Sequence, residues 1–186
     1  IRFETTTLWV DQWWGGAATA VRVDNSMGNS TDNSFVEFVR CLIRGTENGM
    51  AMTNIEVDVS WCDVEGDVVG IDIVECMLDV SWSTVEGMAF GIWADESDVS
   101  IDHSDNSAGE EESASGTAVH FNSPSGRELF VFTSSLDGAG NGTGLWVNVS
   151  AESGMVIILN SVISAEGPAL ERSEEHTSEL QSHHPI

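Results

Sequence analysis

Apolar and polar positions alternate along this chain in short runs. Val36 and Phe38, Val57 and Val59, and Leu78 and Val80 are apolar at a spacing of two, with Glu37, Asp58 and Asp79 between them. Successive side chains of a strand point to opposite faces, so each run predicts a strand with one face in a core and one in water. A further apolar column follows at Ile43, Val64 and Val85. Two glycine columns come next, Gly45, Gly66 and Gly87, then Gly49, Gly70 and Gly91. A second alternating run follows each, led by Met50, Ile71 and Ile92.

The segments that open at Ser34, Ile55 and Cys76 overlay without a gap at a period of 21 residues. The predicted unit is strand, bend, apolar residue, glycine turn, strand. It is too short to contain a helical crossover, which takes a dozen or more residues. Such units bury their apolar faces only by stacking, as solenoids do. The pattern continues past Glu96 with glycine steps of 25, 28 and 23 residues, as loop insertions would give. The inserted stretches are 107–115, which is acidic, and 122–127, which carries Pro124 and Gly126. About six or seven rungs are expected.

The rung Val57-Asp-Val-Ser, Val64-Glu-Gly-Asp, Gly70-Ile-Asp-Ile resembles the right-handed parallel β-helix repeat of the pectate-lyase-like superfamily, over roughly Thr19 to Leu170. The resemblance implies an all-β, right-handed parallel β-helix. It also implies activity on polysaccharides by lyases, hydrolases or epimerases. One position departs from the family, which often has Asn at the bend. Here the bend carries Arg40, Trp61, Trp82 and His103.

Residues 1–171 are therefore expected to form one β-helix region, irregular over 1–33, where Trp13-Trp14 and the loop-like Asn25–Asn33 lie. The run from Arg172 to Ser182 resembles the in-frame translation of a sequencing-library adapter. Residues 172–186 are accordingly expected to be a non-native tail on a piece truncated at both ends.

Charge narrows the partners. The net charge is −25, with six arginines and no lysine. Such a chain repels nucleic acid and anionic membranes. No stretch is apolar enough for a transmembrane helix. The acidity and the fold point to a salty or extracellular setting, with secretion or display at a cell surface. Three cysteines give no disulfide framework. Cys41 and Cys62 share a column, either as stacked buried thiols or as a disulfide. Asn29-Ser-Thr31, Asn141-Gly-Thr143 and Asn148-Val-Ser150 match the glycosylation sequon.

Three sets of residues are candidates for chemistry. Glu37, Asp58 and Asp79 form an acidic column that Ca²⁺ would relieve, or a solvated acidic face; Asp63 and Asp105 are looser candidates. Trp61 and Trp82, with His103 one rung on, form either a sugar-stacking platform or a filled corner. Trp93 and Trp146 fall at outward positions of the later strand. Asp102, His103 and Asp105 have the chemistry of proton abstraction, and faintly resemble the epimerase motif of the superfamily without its proline. They also overlay an ordinary rung segment. The first expected function is a non-catalytic extracellular solenoid that adheres to polysaccharide or cell-surface glycan. The alternative is a fragment of a polysaccharide-active enzyme. An enzyme would show carboxylates and a base converging in a groove beside the inserted loops.

Overall fold

A computed structural model describes residues 1–10, 18–25, 34–109, 115–138, 141–149, 154–165 and 167–172. Trp13-Trp14, the sequon at Asn29, Ser150 of the third sequon, most of the acidic loop (110–114) and residues 173–186 lie outside these. Among the described residues every element is a strand and none is a helix.

The strands form three seven-stranded sheets. The first runs from Arg2–Glu4 to Met155–Leu159, the second from Thr7–Val10 to Val162–Ala165, and the third from Val21–Asp24 to Leu170–Arg172. Every pairing is parallel. Each level of this β-solenoid supplies one strand to each sheet, as Glu56–Ser60, Asp63–Gly66 and Val69–Val74 do. Val59 lies beside Val80, Val64 beside Val85 and Ile71 beside Ile92, as the 21-residue overlay requires. These side chains point inward and are fully buried. Burying each contributes about 1.5–3 kcal/mol.

The predicted unit needs two amendments. The stretch taken as an apolar residue and a glycine turn is itself a strand, such as Asp63–Gly66. Its glycines answer to space, since none of Gly45, Gly66 or Gly87 has a positive φ. A Cβ on Gly66 would lie 1.9 Å from Val69 O, and one on Gly87 2.0 Å from Phe90 O. The second and third sheets meet there backbone to backbone. Left-handed bends recur at the other two corners on residues other than glycine; Gly126, φ 89°, adds one on the inserted segment, and Gly109, φ 82°, follows the strand Asp105–Ala108. One corner carries Thr5, Arg40, Trp61, Trp82, His103, Thr133 and Asn160; the other carries Asn54, Glu75 and Glu96, all with φ between 46° and 58°.

A bend that reverses φ turns the next N–H away from its strand partner. The chain meets this need with small inward side chains placed just after the bend. The N–H of Cys41 donates to Cys62 Sγ, that of Cys62 to Ser83 Oγ, that of Ser83 to Ser104 Oγ, and that of Ser104 to Ser134 Oγ, at 3.0–3.3 Å. Each hydroxyl or thiol in turn donates to the carbonyl two residues back, as Ser83 does to Ser81 O at 2.8 Å. At the other bend, the Cys76 N–H donates to Ser97 Oγ at 2.9 Å. All three cysteines thus stand where serine stands elsewhere. They are buried free thiols, so Cys41 and Cys62 stack without a disulfide. Burial pushes the Cys62 thiol up to about 11.

Candidate functional site

The first candidate is the convex corner between the first and second sheets. Trp61 and Trp82 occupy its left-handed positions, with φ of 58° and 51°. Bulky residues rarely adopt this conformation. Their backbones fix the indoles one above the other, with ring centroids 5.1 Å apart and planes 5° from parallel. His103 extends the stack at 4.1 Å from Trp82. The indoles remain 56% and 49% exposed, so this corner is not a filled one. Trp82 is stacked on both faces and offers its edge outward. Among the described residues, Trp61 is stacked on one face only.

The same corner holds the Asp102–His103 pair. His103 Nδ1 lies 2.8 Å from Asp102 Oδ1, with both side chains in solvent, at 37% and 43% exposure. Asp105 begins the next strand on the outer face of the second sheet and is also exposed. Among the described residues, none of the three lines the groove at Glu56, Glu75 and Asp98. His103 is oriented by one carboxylate and one indole, an arrangement that holds the ring still.

Glu37, Asp58 and Asp79 are direct neighbours on the outer face of the first sheet, as their spacing required. Two of them are engaged. Arg2 Nη1 lies 3.4 Å from Glu37 Oε2, and Ser60 donates to Asp58 through a short hydrogen bond. Among the described residues, no group of three or more His, Cys, Asp or Glu side chains could hold a metal ion. Asp63 shares Arg44 with Glu65, at 3.8 and 2.8 Å.

The third sheet carries a second aromatic column that was only half legible. Trp93 and Trp146 do face outward, and His120 lies between them. The imidazole is 4.0 Å from Trp93 and 4.1 Å from Trp146, parallel to both within 6°. Phe90 meets Trp93 and His120 edge-on. Beside this stack, Asn122 donates to Asp95 at 2.6 Å and Asn148 donates to Asn122 at 2.8 Å. The Asn148 amide is thus tied into a strand ladder, whereas Asn141 sits exposed on a turn. Burial lowers the His120 pKa to about 4, with Asp95 pulling weakly the other way. Desolvation also raises the Asp72 carboxyl, one step down the column from Trp93; Arg22 opposes it.

No family model, curated protein or solved structure matches the chain.

Proposed function

We propose that this chain is a non-catalytic, extracellular solenoid region that adheres to neutral polysaccharide or cell-surface glycan through its outward aromatic columns. One observation carries the reading. Trp61 and Trp82 gain little burial, yet they are held in a backbone conformation that costs on the order of 1–3 kcal/mol per residue. Mutual stacking returns only about 0.5–1.5 kcal/mol. Residues kept exposed at such a cost suit contact with a ligand. A rigid ridge of indole edges with hydroxyls and carboxylates on both flanks suits a sugar chain, whose CH faces pack on aromatic surface while its hydroxyls find acceptors.

The enzyme alternative has one observation in its favour. A groove beside the insertion at 122–127 contains Glu56, Glu75 and Asp98 with Arg127. Arg127 is engaged there by Asp98 at 3.0 Å, and His103 lies on a different corner. A paired guanidinium is a poor proton acceptor, so adhesion remains the stronger reading.

Affinity electrophoresis through gels that contain neutral polysaccharides tests the proposal. The wild-type chain should be retarded, and the Trp61→Ala/Trp82→Ala variant should lose affinity at least tenfold. Release of new reducing ends by the wild type would support the enzyme instead. Unaltered migration across a broad panel would overturn adhesion.

A further inference from the structure

The corner between the third and first sheets is open. It carries a groove of about 210 Å³. Asn25 and Ser34 lie at one end and Arg127, on the inserted segment, at the other. Between them the bends at Asn54 and Glu75 carry no insertion, so the corner is bare over two levels, with the segment that carries Arg127 beside it. The first outward column of the first sheet gives its floor, in the order Glu56, Met77 and Asp98.

The lining has a definite chemistry. Met77 is 49% exposed and offers an apolar surface. Asn54 and Asn25 bind each other through side-chain amides and backbone carbonyls, at 3.3–3.4 Å, and so hold that end in place. Asp98 is fully occupied, accepting from Arg127 and from the Glu128 N–H at 3.0 and 2.9 Å. The same contacts fix the inserted segment as a wall. Glu96 reinforces it by accepting from Ser123 at 3.2 Å and from Ser125. Among the described residues, the carboxylates of Glu56 and Glu75 have no hydrogen-bond or ion-pair partner. Glu75 projects from a left-handed bend, φ 54°, which fixes its backbone.

A volume of this size is below the roughly 300–1,000 Å³ that encloses a drug-sized ligand, so it suits one ring rather than a chain. The groove's cation is already neutralised, which disfavours an anionic sugar. Two uncommitted carboxylates beside an exposed thioether favour a ring that bears an ammonium group.

We propose that this groove binds one amino-bearing pyranose unit, with Glu56 and Glu75 accepting from its ammonium and hydroxyl groups and Met77 packed beneath the ring. The proposal rests on the glycan reading and names a substrate class for it, at a place distinct from the tryptophan ridge.

Calorimetry with a disaccharide of glucosamine, free amines intact, is the test, with cellobiose and a glucuronate-bearing disaccharide as comparisons. The amino disaccharide should bind tightest and lose affinity in high salt. Glu56→Gln/Glu75→Gln should weaken it at least tenfold, while Asp67→Asn, an exposed carboxylate outside the groove, leaves it unchanged. Neither carboxylate supports the fold, and unchanged melting will show this. Equal binding by the glutamine variant, or a preference for glucuronate, overturns the groove proposal. So does a wild type that ignores the amino disaccharide. Retention in polysaccharide gels, read on the same samples, decides separately whether the adhesion reading falls with it.

Discussion

The N–H of Cys62 donates to the Ser83 hydroxyl one level away, at 3.0 Å. The same bond recurs from Cys41 to Ser134 in the column that follows the first bend, so this corner is held by side chains. Ser104→Ala removes the acceptor for the Ser83 N–H and the donor for Asp102 O. A buried N–H left without a partner costs about 1–3 kcal/mol. Ser104→Cys should cost less, because Cys62 and Cys41 already fill this role. Urea unfolding of the two variants checks the order. Equal stability of Ser104→Ala and wild type would show that the ladder is dispensable.

Asn106 is the inverse case. It lies in the inward column of the second sheet, between Val85 and Leu136, and is 1% exposed. Among the described residues, neither its Oδ1 nor its Nδ2 has a hydrogen-bond partner. A buried amide left unpaired costs about 1–3 kcal/mol, and its neighbours in the column are aliphatic. Asn106→Val should therefore stabilise the chain by roughly 1–2 kcal/mol. A midpoint in urea that does not rise would mean that the amide is satisfied.

The columns were readable because a fixed period places equal positions on top of one another. That is why the period places Trp61, Trp82 and His103 in one column, and Glu37, Asp58 and Asp79 in another, where the structure also has them as neighbours. His120 falls outside the pattern because it follows Trp93 by 27 residues, six more than the 21-residue period. The second bend was missed for a different reason. Glu75 and Glu96 lack the residue chemistry that normally signals a left-handed position. Gly45, Gly66 and Gly87 mislead in the opposite way, because there the absence of a side chain serves close packing and φ is not positive.

That distinction is testable at one column. Gly87 and Ala108 are direct neighbours there. A Cβ at Gly87 meets Phe90 O at 2.0 Å, and backbone cannot step aside as a flexible side chain can. Gly87→Ala should cost about 3 kcal/mol or more, at the top of the range for overpacking. Ala108→Gly should cost only about 0.5–1 kcal/mol, the usual difference between the two residues. Thermal unfolding of both variants settles whether space or backbone freedom selects glycine here. Comparable losses would contradict the packing account.

His120 makes stability depend on pH. Its pKa is about 4 in the fold, below the 6.5 of the free side chain. Between these values the unfolded chain binds more protons, so stability falls as pH falls from 6.5 toward 4. Above 6.5 the imidazole is neutral in both states and the stabilisation is complete. Partial exposure discounts the effect to roughly 1–2 kcal/mol. Many carboxylates titrate over the same range, so the informative quantity is the difference between wild type and His120→Phe. That difference should shift in favour of the variant as pH drops. A difference that stays constant from pH 7 to pH 4 would show that the imidazole titrates freely between its two indoles.

Screening should raise the stability of the whole chain. The net charge of −25 is distributed over outer faces where carboxylates neighbour one another, as Asp58 and Asp79 do. Only a few guanidinium groups oppose them, such as Arg44 beside Glu65 at 2.8 Å. Raising NaCl from about 0.1 M to about 1 M shortens the Debye length from roughly 10 Å to roughly 3 Å, less than the spacing of adjacent strands. Repulsion along the columns is then suppressed and the melting temperature should climb, because the lost ion pairs are fewer than the repulsions removed. Divalent ions distinguish screening from a site. With Glu37 engaged by Arg2 and Asp58 by Ser60, Ca²⁺ should act no differently from Mg²⁺ at equal ionic strength. Calorimetry in matched solutions reads this directly. A melting temperature raised by Ca²⁺ alone, and reversed by chelator, would instead make Glu37, Asp58 and Asp79 a calcium site that gathers its ligands only when the ion arrives.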